Sequence, residues 1–332
     1  MVSKMRRATI TGVGKYVPEK VITNKDLEKM VDTSDEWITS RTGMKKRHIV
    51  QDDETTADIG FNAAVEALND ANINPEDLDL IIFSTVTPDM LFPATACLLA
   101  ERLNTGKIPA FDLEAGCSGF VYGISVAAQF IETGLFNNIL VVGSETLSKI
   151  TDWEDRSTCV LFGDGAGAAI LQPTNKGGLL AFDLGSDGSG GKHLKLPAGG
   201  SLKPSSNKTI ENREHYIKMD GNPVFKFAVR IMGQSSLDVI KKAGLKPEDV
   251  DLFIPHQANI RIIKAAANRL NLTHDKVFVN LPEYGNTSSA SIPIALTEAK
   301  EDGLIKNGDI IVLVAFGAGL TWASTIIDWN EG

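Results

Sequence analysis

The stretch Asn74-Pro-Glu-Asp-Leu-Asp-Leu-Ile-Ile returns later in the chain as Lys246-Pro-Glu-Asp-Val-Asp-Leu-Phe-Ile, with Pro247 standing where Pro75 stands. Each copy follows an amphipathic helical pattern, Ala57 to Asn72 in the first and about Phe225 to Ala243 in the second. Each then runs into an apolar segment that reads as a buried strand. Proline presets one backbone angle of a turn and aspartate bonds back to nearby backbone, so the two residues recurring together has a mechanical reason. So short a match can also arise by chance, but the shared helix–turn–strand setting favours a duplicated α/β unit. At 332 residues the chain is long enough for two such units.

The first unit carries a candidate nucleophile. Ala115-Gly-Cys-Ser-Gly-Phe follows the apolar run Pro109 to Leu113, read as a buried strand, and precedes Val121 to Ile131, read as an interior helix. A thiol at Cys117 would face a helix N-terminus, whose dipole favours thiolate over thiol. Gly116 and Gly119 clear space for a sharp turn and for a substrate carbonyl. On this segment alone a buried structural cysteine is the alternative.

Two further segments narrow the choice. Ile254-Pro-His256-Gln-Ala-Asn-Ile-Arg261 follows an apolar strand and opens a helix, and Glu283-Tyr-Gly-Asn286-Thr-Ser-Ser-Ala290 is a polar turn before another helix. Cys117, His256 and Asn286 thus lie at the kind of turn where open α/β sheets build active sites, and together they supply a nucleophile, an imidazole and an amide donor.

Composition excludes several classes. A net charge of −9 without a basic arm argues against nucleic-acid binding. No apolar run approaches ~18 residues, so no membrane span is expected. Met1-Val-Ser-Lys-Met-Arg-Arg lacks an apolar stretch behind its basic residues and does not read as a signal peptide. Three cysteines without paired spacing fit a reducing, cytoplasmic setting. Cys97, Cys117, Cys159 and the five histidines show no metal-ligand spacing, so no metal is expected. Gly12-Val-Gly14 and Gly163-Asp-Gly165-Ala-Gly167 do not open helices and are read as turns, not dinucleotide loops. Gly185 to Asn222, rich in Gly, Ser, Lys and Asn, reads as a long surface excursion.

Ala115-Gly-Cys-Ser-Gly-Phe, Phe162-Gly-Asp-Gly-Ala-Gly-Ala, His256-Gln-Ala-Asn-Ile-Arg, Tyr284-Gly-Asn-Thr-Ser-Ser-Ala and Ala315-Phe-Gly-Ala-Gly-Leu-Thr-Trp, in that order, closely resemble β-ketoacyl-acyl-carrier-protein synthase III, a condensing enzyme of the thiolase superfamily. The resemblance runs nearly end to end. It implies a thiolase-like, duplicated five-layered αβαβα fold with two mixed sheets around buried helices, divided into halves 1–173 and 174–332. It also implies a homodimer and no cofactor, acyl-CoA being a substrate. The implied reaction acylates Cys117 from a short acyl-CoA, then condenses that acyl group with malonyl-acyl-carrier protein after loss of CO2. His256 and Asn286 would stabilise the enolate, and the N–H groups of Cys117 and Ala318 would form an oxyanion hole; the family usually has glycine at the place of Ala318.

Carried over residue by residue, Trp37 and Arg156 would flank the adenine of CoA, with Arg41 near its phosphates, and Asn222, Phe225 and Asn259 along the pantetheine tunnel. Phe92 would close the acyl pocket across the dimer interface. Gln257, Ala258, Asn259, Ile260 and Arg261 would meet the carrier protein, with Lys264, Lys226 and Arg269 extending a basic patch. The excursion is longer than the family pattern around Ala198–Arg213. A polyketide-type condensing enzyme with the same Cys-His-Asn set is the main alternative. A papain-like protease shares the residue order but lacks its signature and disulfides. A non-catalytic carrier-protein scaffold would not need all three polar residues.

Overall fold

A computed structural model describes residues 6–330; the reading of the N-terminal peptide falls mostly on residues 1–5, outside the described ones. Both Pro-Glu-Asp segments form one turn of 3-10 helix, Pro75–Asp77 and Pro247–Asp249. In each, the aspartate carboxylate accepts the backbone N–H three residues back: Asp77 from Asn74 at 3.0 Å and Asp249 from Lys246 at 2.8 Å. The second aspartate of the motif then fixes the next strand. Asp79 accepts from the backbone of Asn137 and Asn138, and Asp251 from that of Ile310.

The helices before these turns span Thr56–Ala71 and Gly221–Lys242, the second starting four residues earlier than its periodicity indicates. The strands after them are Leu80–Ser84 and Leu252–Pro255. Each strand joins a mixed sheet, and the sheet order repeats. In the first sheet the neighbours run Arg7–Tyr16, Gly165–Thr174, Ile139–Glu145, Leu80–Ser84 and Ala110–Leu113. In the second they run Gly178–Ser186, Thr321–Asp328, Ile310–Gly317 and Leu252–Pro255. The extra strand of the first sheet, Ala110–Leu113, is only half-buried where its apolar run implies full burial, because it is the sheet's edge and has one neighbour.

Alternation along the strands sorts the core into three layers of side chains. Ile82, Val141 and Leu171 of one sheet and Ile254, Leu313 and Ala323 of the other face a shared interior. It is filled by helix Gly119–Glu132 and by helix Ser291–Glu301, whose Ile292, Ala295 and Leu296 pack there. The opposite faces carry Phe83, Leu140 and Ile170 under helix Thr56–Ala71, and Phe253, Val312 and Ile326 under helix Gly221–Lys242. The five-layered αβαβα arrangement expected from the sequence is therefore present.

Between the opening strand and the first outer helix lie short pieces, among them helix Asp35–Thr42. The excursion is more ordered than its composition indicates. It contains the paired strands Leu194–Lys195 and Lys218–Met219 and helix Asn207–Glu211, whose capping box is closed by Ser206 and Thr209.

Strand Arg7–Tyr16 lies against helix Thr56–Ala71 so closely that a Cβ on Gly14 would stand 2.4 Å from Ala63 O and Ala67 N. Gly14→Ala should therefore cost about 1–3 kcal/mol, the usual price of overpacking. A lower urea midpoint at unchanged m-value is the expected result; an unchanged midpoint would mean that the helix yields to the added methyl.

Candidate active site

Cys117 sits in a single 3-10 turn, Gly116–Ser118, that runs directly into the buried helix Gly119–Glu132. The turn exists because Gly116 takes φ +56°, a value that penalises a side chain. The hairpin joining Ile310–Gly317 to Thr321–Asp328 presses against it. A Cβ on Gly116 would stand 2.6 Å from Ala318 N, and one on Gly317 would stand 2.4 Å from Cys117 N. Thr321 Oγ1 lies 2.8 Å from both Ser118 Oγ and Ala115 O, tying the two turns. The backbone N–H groups of Cys117 and Ala318, one from each turn, are thereby held side by side.

Burial pushes the Cys117 thiol up to about 12; a Ser288 hydrogen bond opposes the shift and the nearby Glu145 charge adds to it. The expectation of a thiolate favoured by the helix dipole is therefore corrected. Removing the sulfur from water disfavours the thiolate, and the resting side chain is a thiol.

His256 follows strand Leu252–Pro255 and is 1 % exposed, its ring edge-on to Phe316 at 5.5 Å. Burial lowers its pKa to about 3, so the imidazole is neutral. Nδ1 lies 2.6 Å from Ser291 Oγ, which also accepts the Gln257 N–H at 3.4 Å. A serine that donates to Nδ1 leaves the ring's own proton on Nε2. Nε2 has no partner among the described residues. Asn286 is held likewise. Its Oδ1 accepts the Ser288 N–H at 2.9 Å, which directs the Nδ2 donors into the cavity. Ser288 reaches this position with φ +50°. Behind it the fully buried Glu145 accepts from the hydroxyls of Thr85, Thr87, Ser288 and Ser289 and from Val86 N–H. Burial raises the Glu145 pKa while these donors oppose the shift.

Two cavities meet at Cys117. One, about 300 Å³, is walled by Val86, Leu147, Ile150, Phe162, Leu196 and Ile217. The other, about 190 Å³, holds His256, Asn286, Phe225, Ala258 and Asn259. Sequence reasoning missed Glu145, Ser288 and Ser291, which position the polar groups, and Ile217 and Leu196, which bring the excursion into a cavity wall. Only the spacing of Ser291 from Asn286 offered a signal.

The remaining expected residues divide. Arg156 lies over Trp37 at 4.9 Å, so the two are brought together, but in direct contact. A planar base between them needs about 7 Å, twice an ordinary contact distance; the pair is closed. Arg41 is exposed, and its carbonyl accepts from Asn259 Nδ2 at 3.1 Å. Asn222 is exposed at the head of its helix and lines neither cavity. Phe92 is 84 % exposed and also lines neither. Gln257 is corrected: it is 1 % exposed and its amide is spent on Pro255 O, Phe278 O and the Asn280 and Leu281 N–H groups, leaving nothing to offer a partner. Ile260 is half-buried beside Gly43. Arg261 is exposed and stacks on Phe225 at 4.9 Å, and Lys264 is exposed on the same helix face.

Nitrogen NMR of the His256 ring should show the Nε2–H tautomer and no protonation above about pH 5, against an ordinary histidine value of about 6.5. Between 6.5 and 3 the unfolded chain holds the extra proton, so this residue makes stability fall as pH falls. Ser291→Ala should mix the tautomers; an unchanged ring spectrum would remove Ser291 from that role.

Residues 240–329 match the family model for the 3-oxoacyl-[acyl-carrier-protein (ACP)] synthase III C-terminal region, and residues 111–188 match the family model for 3-oxoacyl-[acyl-carrier-protein (ACP)] synthase III. The chain is 58 % identical to the β-ketoacyl-[acyl-carrier-protein] synthase III of Caldanaerobacter subterraneus, covering 98 % of each chain. It is 57 % identical to the protein of that name from Natranaerobius thermophilus, over 98 % of this chain and 100 % of the other. The crystal structure of 3-oxoacyl-[acyl-carrier-protein] synthase III from Aquifex aeolicus superposes with a TM-score of 0.90 at 49 % identity, covering 97 % of this chain and all of that one. The priming β-ketosynthase of the R1128 polyketide pathway gives 0.92 at 34 %, covering 100 % and 99 %. With its thiolase-like fold and near-complete match to these relatives, the chain belongs to the β-ketoacyl-[acyl-carrier-protein] synthase III family of acyltransferases.

Proposed function

We propose that this chain initiates fatty-acid synthesis by condensing a short acyl-CoA, acetyl-CoA in the simplest case, with malonyl-acyl-carrier protein through a thioester on Cys117. The sulfur attacks the acyl carbonyl, CoA leaves as its thiol, and the cysteine proton leaves with it. The oxyanion of each tetrahedral intermediate faces the N–H groups of Cys117 and Ala318. Malonyl-acyl-carrier protein then loses CO2, and the resulting enolate attacks the acyl-Cys117 carbonyl. The β-ketoacyl-carrier product departs and Cys117 regains a proton from solvent.

The observation that carries this reading is the convergence of the uncharged His256, its Nε2 unpartnered among the described residues, and Asn286 on the cavity that also holds Cys117. A neutral imidazole with its proton on Nε2 cannot take a proton there but can stabilise negative charge developing on a thioester oxygen. The pantetheine arm enters along Phe225 and Asn259, and the acyl group occupies the apolar 300 Å³ cavity. The protein acts as a cytoplasmic homodimer of chains that each hold two thiolase-like halves, and Met90, Leu91 and Phe92, exposed at 46, 80 and 84 %, bring Phe92 to the partner's acyl cavity. The acyl transfer and condensation balance without a cofactor. Among the described residues no helix is long and apolar enough to cross a membrane.

Intact mass after mixing with acetyl-CoA should show one acetyl adduct on Cys117, and Cys117→Ser should abolish it. Asn286→Ala should keep the adduct while slowing malonyl decarboxylation by about 10²–10³. An adduct elsewhere, or normal decarboxylation in that variant, would overturn the assignment.

The carrier protein docks on the exposed face holding Arg261 and Lys264, beside Lys226 and Arg269. Because Arg261 stacks on the cavity residue Phe225, Lys264 is the cleaner probe. Lys264→Glu should raise KM for malonyl-carrier protein with a loss that shrinks in high salt, and leave acetyl-CoA acylation intact. Equal loss in both half-reactions would remove Lys264 from the docking surface.

A further inference from the structure

The excursion that the sequence marks only as a surface feature is fastened, chiefly through Arg213, to the segment that carries Arg156. Arg213 closes helix Asn207–Glu211 with φ +56° and turns its guanidinium onto the segment Thr151–Glu154. Its Nε donates to Asp152 Oδ2 at 3.1 Å, its Nη2 donates to Asp152 Oδ1, and its Nη1 donates to Glu154 Oε1 at 3.2 Å. Tyr216 lies against its other face, 5.1 Å from ring centre to guanidinium carbon. Asp152 is 4 % exposed while the Arg213 side chain is 39 % exposed, so only the acid end of this forked ion pair is withdrawn from water. Among the described residues its other cationic partner is Lys218, at 3.4 Å.

The segment held in this way carries Arg156. At the front of the clamp little fixes that side chain. Its ion pair with Asp32 is 3.5 Å long, and the two side chains are 44 and 102 % exposed. Such a pair is worth little. The stack on Trp37 must also open to admit a base. What keeps Arg156 in register with Trp37 through that opening lies behind it, where Asp152 caps the turn by accepting the Glu154 N–H at 3.2 Å and is gripped by Arg213.

We propose that Arg213 is a positioning residue for the nucleotide end of CoA, holding the Asp152–Arg156 loop so that Arg156 stays opposite Trp37 when the pair opens to admit the adenine. The proposal rests on the acyl-CoA reading above and extends it to a residue outside both cavities. Arg213 touches no substrate and no reacting atom. Its contribution is confined to the substrate's nucleotide, which is the part that pantetheine thioesters lack.

The test is acylation of Cys117 by acetyl-CoA and by acetyl-pantetheine, which carries the same thioester arm and no nucleotide. Arg213→Ala should raise KM for acetyl-CoA about tenfold with kcat within about twofold, and change acetyl-pantetheine acylation by less than about twofold. Arg213→Lys, which keeps charge but not the fork, should recover part of the loss. Asp152→Asn should show the same split and serves if the alanine variant folds poorly. Equal losses on both thioesters would overturn the proposal and make Arg213 a support for the cavity wall through Ile217. No loss on either would overturn it too. Trp37→Ala separates the layers: if that variant fails to distinguish the two thioesters, the nucleotide binds elsewhere and the Arg213 role falls with the clamp. Absence of any adduct in the unaltered protein would instead remove the acyl-enzyme reading.

Discussion

The close approach of two backbone turns is the constraint on which the rest of the site depends. Gly116 and Gly317 come from opposite sheets, and neither has room for a side chain. The nucleophile turn belongs to the first sheet's connections and the hairpin to the second, so their contact is made only when both halves of the core are packed. Thr321 and Ser118 fasten the seam with hydroxyls rather than charges, which suits a place that must stay dry around a reacting sulfur. From that seam the fold works outward. The two interior helices, Gly119–Glu132 and Ser291–Glu301, start at Cys117 and just after Asn286, so packing them fixes both groups at once.

The electrostatics of the site follow from the same burial. Water exclusion keeps His256 uncharged and Cys117 protonated, and concentrates what polarity remains in directed N–H groups. Glu145 is the one acid buried behind them. Its multiple donors tie the Thr85–Thr87 segment to the Ser288–Ser289 turn and hold that turn at an unusual backbone angle. Preorganisation here rests on the Ser288 N–H that holds the Asn286 amide and on the Ser288 and Ser289 hydroxyls that anchor this turn to Glu145.

Much of this was legible in the chain. The Pro-Glu-Asp repeat is a local, capped turn whose cause lies within a few residues, and it located a helix and a strand in each half. The nucleophile, imidazole and amide stood at turns, where glycine and polar residues interrupt apolar runs. What escaped reading depends on distance in sequence. The raised thiol pKa comes from burial by segments far along the chain, the edge position of Ala110–Leu113 from sheet order, and the loss of Gln257 as a docking residue from backbone around residues 278–281. Glycine-rich and polar composition marked 185–222 as surface, but its few apolar residues, Leu194, Leu196 and Ile217, were the part that mattered.

The two cavities have a further consequence because they share a single sulfur and differ in character. One is an apolar alley, the other an approach that also holds His256, Asn286 and Asn259. A thioester bonded to Cys117 can rest its tail in the first without obstructing the second, so the approach is vacated and refilled while the cargo stays parked. On the proposed acyl-Cys117 route, turnover would take the form of an exchange of visitors at one doorway, never a meeting of both. Molecules that block the doorway would compete with either visitor, whereas molecules that fill the alley would dictate only which cargo can be parked.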